Sequence, residues 1–434
     1  MKSSREAADL RADLSYLYSL NNRGIKPGLS RIQKLLAAIG NPQNAYKIVH
    51  IAGTNGKGST CAIIASILRS AGLRVGLYTS PHLLRFNERI RVDDLEIGDR
   101  QIAQFIRHWR KTIDELDCSF FEATTALAFD YFKKQKAEYV VLETGMGGRF
   151  DATNVVQPEV TVITPVARDH QEFLGRRLHQ IAFEKAGIVK SGAPCIVAHQ
   201  TAQVCKYLTA EIRARAGDLY YAVDQCRIKA TRAFADYQEL NLSIGNFTIE
   251  RVTFPLIGAH QLVNLQAAVT AVTFIKNITI TTDILRKGIA AVIWPGRLQI
   301  LHRNPLIYYD VGHNQHGIQQ AVRTLLKTFP DQPIHLLLAL GTQKNYNQIG
   351  KIIRPLGGTV CLTEIPDHPS VSAESLANSI RKAIPLNRIY VEKHLSVLLN
   401  ILSRKLQTNE LLLIIGSHYL APTVLPFYAL RHSV

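Results

Sequence analysis

The sequence predicts an α/β protein of two domains: a large one on a mostly parallel sheet and a smaller α/β one after it. Three observations predict this. Short β-type runs alternate with helical ones along most of the 434 residues. The apolar run from Lys47 to Ala52 opens straight into a glycine-rich loop and a helical stretch. Trp294-Pro295-Gly296-Arg297 then interrupts the alternation, and a second, shorter series follows. The boundary is placed there, giving domains of 1–296 and 297–434.

In the larger domain, strands are predicted over 48–52, 74–78, 139–143, 160–164 and 194–198. Helices are predicted over 60–71, 124–134, 178–188 and 202–216, which is the pattern of βαβ units. From Leu219 to Phe254 the chain is richer in β-type residues, and helices over 261–276 and 282–291 close the domain. In the smaller domain the order is strand 307–309, helix 315–327, strands 334–340 and 359–363, helix 373–383 and strand 411–415. There is no internal repeat or low-complexity tract. A site is expected in the cleft between the domains, at the carboxyl ends of the strands.

Composition narrows the function classes. The formal charge is +17, yet the basic residues are scattered and form no dense block with interleaved aromatics. Nucleic acid is therefore not an expected partner, and the charge favours anionic small molecules. The six cysteines include no C-x-x-C pair, which suits reduced thiols in the cytoplasm. Met1-Lys2-Ser3-Ser4-Arg5-Glu6 leads into no apolar signal segment. Aliphatic runs such as Leu411 to Ile415 are far too short for a bilayer, so no membrane role is expected. No exposed partner helix is evident, so the chain is read as a monomer.

The stretch Ile51-Ala52-Gly53-Thr54-Asn55-Gly56-Lys57-Gly58-Ser59-Thr60 carries the most chemistry. A strand–loop–helix turn of this kind aims several N–H groups and a helix dipole at one point, which suits a phosphate. Lys57 would reach the terminal phosphates, and Ser59 or Thr60 would hold a magnesium ion, so a nucleoside triphosphate is the expected ligand. The loop departs from the common pattern, with Ile51 at the first glycine position and Gly58 where a hydroxyl normally follows the lysine.

Other polar residues cluster after predicted strands. Thr79-Ser80-Pro81-His82 follows the second strand, Glu143 leads into Gly145-Met146-Gly147-Gly148-Arg149, and Asp169-His170 follows the strand over 160–164. Carboxylate, imidazole and hydroxyl groups there are candidate magnesium ligands, with histidine the less usual choice for a hard ion. Lys185, in Glu184-Lys185-Ala186-Gly187, has by itself the ordinary reading of a lysine complementing a helix dipole. Asp310-Val311-Gly312-His313-Asn314 either grips ribose, phosphate or an amino acid, or caps the next helix. Arg297 either places a guanidinium on phosphates or is incidental to a hinge.

Taken in order, these pieces resemble the folylpolyglutamate synthase/dihydrofolate synthase family of the Mur ligase superfamily, along nearly the whole chain. The resemblance rests on Gly28-Leu29-Ser30-Arg31-Ile32, Gly40-Asn41-Pro42, the loop from Gly53 to Ser59 with its shifted glycine, Ser80-Pro81-His82-Leu83 and Glu88-Arg89-Ile90. It continues through Phe121-Glu122, Glu143 to Arg149, Asp169-His170, Glu184 to Ile188, His260-Gln261, Asn264 and Pro295-Gly296-Arg297. The fold it implies is a large P-loop Mur-ligase-type ATPase domain plus a smaller Rossmann-like domain. The activity it implies is ATP-dependent joining of glutamate to dihydropteroate or a folate through an acyl phosphate.

By the same resemblance, Lys57 and the loop residues Thr54, Asn55, Gly56, Gly58, Ser59 and Thr60 hold phosphates, and Asn264 and Arg297 contact ATP. Ser80, Glu143 and His170 bind magnesium. Lys185 is expected to be carbamylated and to bind a second ion. Asp310 and His313 lie on the nucleotide and reaction side, Asp310 contacting the nucleotide and both completing a catalytic set with Lys185 and His170, and Ser417 lies near the acyl phosphate. The acid substrate falls to Ser80, Pro81, His82, Ser119, Phe121, Glu122, Asp151 and Ala152. The Asp151-Ala152 pair favours dihydropteroate. Where the family has other residues, this chain has Ser119, Arg168, Gly312, Gln315 and Gln343-Lys344-Asn345. These bear on substrate preference more than on ATP. The competing readings are another Mur-type amino-acid ligase, a folylpolyglutamate synthase alone, or a nucleotide-binding regulator.

Overall fold

The computed structural model describes residues 12–342 and 348–430. The chain divides into two compact units. The first contains residues up to 229, 241–252 and 263–292; the second contains 230–240, 253–262 and the chain from 293 on.

The first unit is built on eight strands: β1 (Lys47–Ala52), β2 (Val75–Tyr78), β3 (Ile90–Val92), β4 (Leu95–Glu96), β5 (Tyr139–Glu143), β6 (Val160–Ile163), β7 (Pro194–Val197) and β8 (Asp218–Tyr221). Their order across the sheet is β4-β3-β2-β5-β1-β6-β7-β8. All neighbours from β2 to β8 run parallel, and only the β2–β3 and β3–β4 pairs are antiparallel. β1 is central and buried beyond Lys47, as a strand covered on both faces must be. Register places Ile51 beside Glu143 and Ala52 beside Ile163, so the glycine loop, Glu143 and the segment after β6 leave the sheet at one edge.

The helix Lys57–Ser70 follows the loop and is buried from Gly58 to Leu68. Its Ser66 hydroxyl donates to the Gly288 carbonyl at 2.7 Å, which ties it to the helix Thr282–Ala290. A second apolar core gathers under the helix Phe120–Lys134, with Phe129 and Phe132 fully buried.

β9 (Cys226–Ala233), β10 (Gln238–Ile244) and β11 (Phe247–Phe254) form a three-stranded sheet in the order β11-β10-β9. They account for the predicted β-rich stretch.

The second unit carries a six-stranded sheet of β12 (Gln299–Arg303), β13 (Leu306–Asp310), β14 (Ile334–Leu338), β15 (Gly357–Leu362), β16 (Ile389–Val391) and β17 (Leu411–Ile415). The order is β12-β13-β17-β14-β15-β16, parallel except for β12. β17 is central and wholly buried, which explains its uninterrupted aliphatic sequence.

β12 and β16 were not among the predicted strands. Both are edge strands. β12 mixes Gln299, His302 and Arg303 into its five residues and is bulged between Ile300 and His302, while β16 is short and mostly exposed. The replacement Gln343-Lys344-Asn345 lies outside the described residues. All six cysteines are free, five of them buried. Among the described residues, no helix is long and apolar enough to cross a membrane.

Candidate active site

The glycine loop is shaped by what its neighbours leave room for. Gly53 has φ +155°, and a Cβ there would overlap the Thr164 hydroxyl. Gly56 has φ +88°, and a Cβ there would overlap the side-chain amide of Asn264. Both positions require glycine, and the second brings Asn264 to the loop. The loop is stitched to the segment after β6. Thr54 and Asn55 donate N–H groups to Pro165 O at 3.1 and 3.2 Å, and Thr54 Oγ1 bonds both Ala167 O and Ala167 N at 3.0 Å.

Lys57 is the first residue of the following helix, at the positive end of its dipole. Its Nζ stands 3.9 Å from Glu143 Oε1, while Glu143 Oε2 accepts the Ser80 N–H at 3.2 Å. Ser59 Oγ and Thr60 Oγ1, in the same first turn, are buried and have no hydrogen-bond partner among the described residues. The Glu143 side chain from β5, the Ser80 backbone N–H after β2 and the Lys57 side chain thus meet at one edge of the sheet.

Lys185 joins them. It is 3% exposed, and its Nζ donates to Gly53 O at 2.7 Å, across 132 positions of sequence. Burial, then the nearby Lys57 cation, lower the amine from 10.5 to about 7, against the opposing pull of Asp169, Asp151 and Glu184. A lysine serving only a helix dipole would be exposed and fully charged at neutral pH. This one is neither.

His170 is exposed and sits in the left-handed region, φ +47°, at the start of the short helix Gln171–Leu174. Its backbone N–H donates to Asp169 Oδ1 at 3.0 Å.

The predicted acid-substrate residues fall into two groups. Pro81 and His82 lie in a loop clamped by Glu88, whose carboxylate accepts the N–H groups of Leu83, Leu84 and Arg85 at 2.7, 2.7 and 2.8 Å. Arg89 Nε donates to His82 Nδ1 at 2.8 Å, and burial and that guanidinium bring the imidazole down to about 4, so it is neutral. Phe86 and Phe120 pack edge to face beside this loop.

Ser119 and Glu122 form a capping box on the helix Phe120–Lys134, with Ser119 N and Oγ each 2.8 Å from Glu122 Oε2. Arg31 closes on the same carboxylate at 3.1 Å, so these two side chains satisfy each other locally. Phe121 lies against Gly145. Asp151 and Ala152 are buried at the start of the turn Ala152–Val155. Asp151 Oδ2 accepts Met146 N–H at 2.8 Å, and Oδ1 accepts Thr153 N–H at 3.0 Å and the Thr153 hydroxyl at 2.6 Å. Burial raises its carboxyl above the usual range despite those donors.

In the second unit, Asp310 ends β13 beside Ile415 of β17, so Ser417 emerges near it. Asp310 Oδ1 accepts Gly312 N–H at 2.7 Å and Oδ2 accepts Leu298 N–H at 2.9 Å. Burial raises its carboxyl, and the nearby Arg297 guanidinium opposes the rise. The Arg297 side chain also donates to Gly296 O at 3.1 Å. His313 Nδ1 is 3.1 Å from Val311 O, and Asn314 caps the helix Gln315–Thr328 through Gly317 N–H at 2.8 Å. Gln315 takes the first helical position, where proline is tolerated but not required, so its presence leaves the helix start intact. Ser417 Oγ accepts the Tyr419 N–H at 3.2 Å.

One buried residue of this region was missed by sequence reasoning. His50 occupies the middle of β1, and its Nε2 lies 2.8 Å from Thr153 Oγ1. The signal was a single imidazole inside an otherwise aliphatic run.

Comparison with known proteins shows the family and the fold. Residues 51–272 match the Mur ligase middle domain, and residues 296–418 match the Mur ligase, glutamate ligase domain. The dihydrofolate synthase/folylpolyglutamate synthase of Bacillus subtilis is 34% identical over 416 residues, covering 93% of this chain and 96% of that protein. The structure of Mycobacterium tuberculosis folylpolyglutamate synthase complexed with ADP and AMPPCP superposes with a TM-score of 0.88 at 28% identity, covering 96% of this chain and 99% of the other. Escherichia coli FolC in complex with DHPP and ADP gives 0.84 at 26% identity, with 97% and 98% covered. The chain belongs to the dihydrofolate synthase/folylpolyglutamate synthase family of the Mur ligases.

Proposed function

We propose that this chain joins L-glutamate to dihydropteroate, giving dihydrofolate, and to tetrahydrofolate, giving polyglutamates. ATP is consumed, and ADP and phosphate are released. The observation that carries the reading is the meeting of Lys57, Glu143 and the buried Lys185 around the glycine loop. The relatives' names and the ligands of the neighbouring structures support it.

The substrate carboxylate attacks the γ-phosphorus and ADP leaves. The glutamate amine then attacks the acyl carbon, and phosphate departs carrying one former carboxylate oxygen. The protein's work is placement and charge neutralisation. In the domain of residues 1–296, Lys57 and the N–H groups from Thr54 to Thr60 hold the phosphates, and Asn264 shapes the loop and meets the nucleotide. The domain of residues 297–434 supplies Arg297 to the phosphates, with Asp310, His313 and Ser417 serving nucleotide and glutamate. Pro81, His82, Phe121, Asp151 and Ala152 hold the pteridine-bearing acid. Ser119 and Glu122 serve it indirectly, by fixing the start of the helix that carries Phe121.

Magnesium fits the donor set. The partnerless hydroxyls of Ser59 and Thr60 and the Glu143 carboxylate beside Ser80 offer oxygen ligands of the kind a hard divalent ion takes, with His170 at the periphery. Bound there, the ion would neutralise phosphate charge. A carbamate on Lys185 would add an anion for a second ion. The enzyme works as a cytoplasmic monomer on small molecules, without nucleic acid or membrane.

The acyl phosphate has a direct test. Dihydropteroate labelled with ¹⁸O in its carboxylate should deliver label to the released phosphate. Unlabelled phosphate during turnover would rule out that intermediate.

A further inference from the structure

An imidazole in the middle of a central parallel strand is an expensive choice. His50 is fully buried between Leu142 of β5 and Thr161 of β6, and its Nδ1 has no hydrogen-bond partner among the described residues. An aliphatic side chain would fill the space without a desolvated, unpaired nitrogen. Such a local inconsistency points to a role beyond packing.

The other ring nitrogen supplies that role. Asp151 accepts backbone N–H groups on both oxygens, from Met146 at 2.8 Å and Thr153 at 3.0 Å, so its carboxylate acts as an acceptor. The Thr153 hydroxyl, 2.6 Å from Oδ1, therefore donates to it. That leaves the hydroxyl oxygen to accept from His50 Nε2–H at 2.8 Å. The proton order is fixed along the whole chain: His50 to Thr153 to Asp151. Burial, then Lys190, bring the imidazole down to about 3, so the ring is neutral with a single proton, which the accepting Thr153 oxygen places on Nε2.

The relay ties three segments together. β1 runs on into the glycine loop. Met146 belongs to the loop after β5, whose Arg149 N–H donates to Glu184 O at 2.8 Å. The turn Ala152–Val155 is held to both neighbours by Asn154, which donates to Arg149 O and Gly187 O at 3.0 Å each.

We propose that His50 and Thr153 are positioning residues for the pteridine-bearing acid, setting the Asp151-Ala152 turn through this buried relay and touching neither substrate. This rests on the reading that Asp151 and Ala152 hold that acid. The relay governs affinity for the acid and leaves the nucleotide alone.

The test compares Thr153→Val, which keeps the shape and removes the hydroxyl, with Thr153→Ser, which keeps the hydroxyl. Phosphate release is followed first against dihydropteroate and then against ATP. Thr153→Val is expected to raise KM for dihydropteroate roughly tenfold and to leave KM for ATP within about twofold, with Thr153→Ser near wild type on both. An unchanged KM for dihydropteroate, or an equal rise for ATP, would overturn the proposal. If Thr153→Val does not fold, His50→Leu and His50→Gln repeat the comparison from the other end, since glutamine keeps a donor and leucine does not. Wild-type turnover of tetrahydrofolate but not dihydropteroate would sink the assignment of Asp151 to the smaller acid. The KM for tetrahydrofolate in Thr153→Val then reads the relay by itself, with the same two outcomes.

Discussion

Replacing Lys57 with alanine is expected to slow ligation about a thousandfold while the protein stays folded. The side chain starts the helix Lys57–Ser70, where the dipole and the first free N–H groups already favour an anion. In the proposed reaction its ammonium would add the mobile charge that follows the γ-phosphate as it transfers. In the resting protein that charge lies 3.9 Å from Glu143, a long contact that a phosphate would readily replace. The loop around it is held by other bonds, through Thr54 and Asn55 to Pro165 and Ala167, so its shape survives the loss. Circular dichroism and melting temperature should stay near wild type while phosphate release collapses. Unchanged turnover would show that the loop does not hold the reacting phosphate.

Lys185→Ala is expected to lose at least about a hundredfold in turnover, with partial rescue by a short carboxylic acid that restores the missing anion. The amine is buried, hydrogen-bonded to Gly53 O at 2.7 Å, and lowered to about 7. Carbamylation consumes the neutral amine and carbon dioxide and releases a proton. An ordinary lysine is almost wholly protonated at pH 7, whereas this one is available. Because the free amine prevails above about 7, carbamate should build up as pH rises through that value and be lost below it.

The same shift has a stability consequence. For the uncarbamylated protein, the unfolded chain holds this proton up to 10.5 and the folded one only to about 7, so stability should rise with pH between them. Lys185→Met should flatten that part of the profile. With ¹³C-bicarbonate, a carbamate resonance should appear in the wild type and be absent from Lys185→Ala. Full activity in Lys185→Ala would remove the residue from the mechanism.

The parts of the site that are local were legible in the sequence. The glycine loop announces itself because Gly53 and Gly56 occupy positions no other residue can take, and because a strand and a helix flank it in order. The central strands were legible for the same reason, as buried apolar runs. What the residues alone do not reveal is made by distant contacts. By itself Lys185 reads as a helix-end lysine; the family resemblance singles it out, and the fold brings it under the carbonyl of Gly53. Ser119 and Glu122, expected beside the substrate by resemblance, also cap a helix and meet Arg31, which is 91 positions away from Glu122. His50 hides in an aliphatic run because its partner, Thr153, stands 103 positions away. The edge strands β12 and β16 carry little buried apolar surface, so periodicity had nothing to report.

The most direct measurement is phosphate release by the purified protein with MgATP and L-glutamate, with dihydropteroate and tetrahydrofolate compared as acceptors. Turnover with both is the predicted result. Turnover with tetrahydrofolate alone would mean a folylpolyglutamate synthase, and silence with both would contradict glutamate ligation to a pteridine-bearing acid altogether.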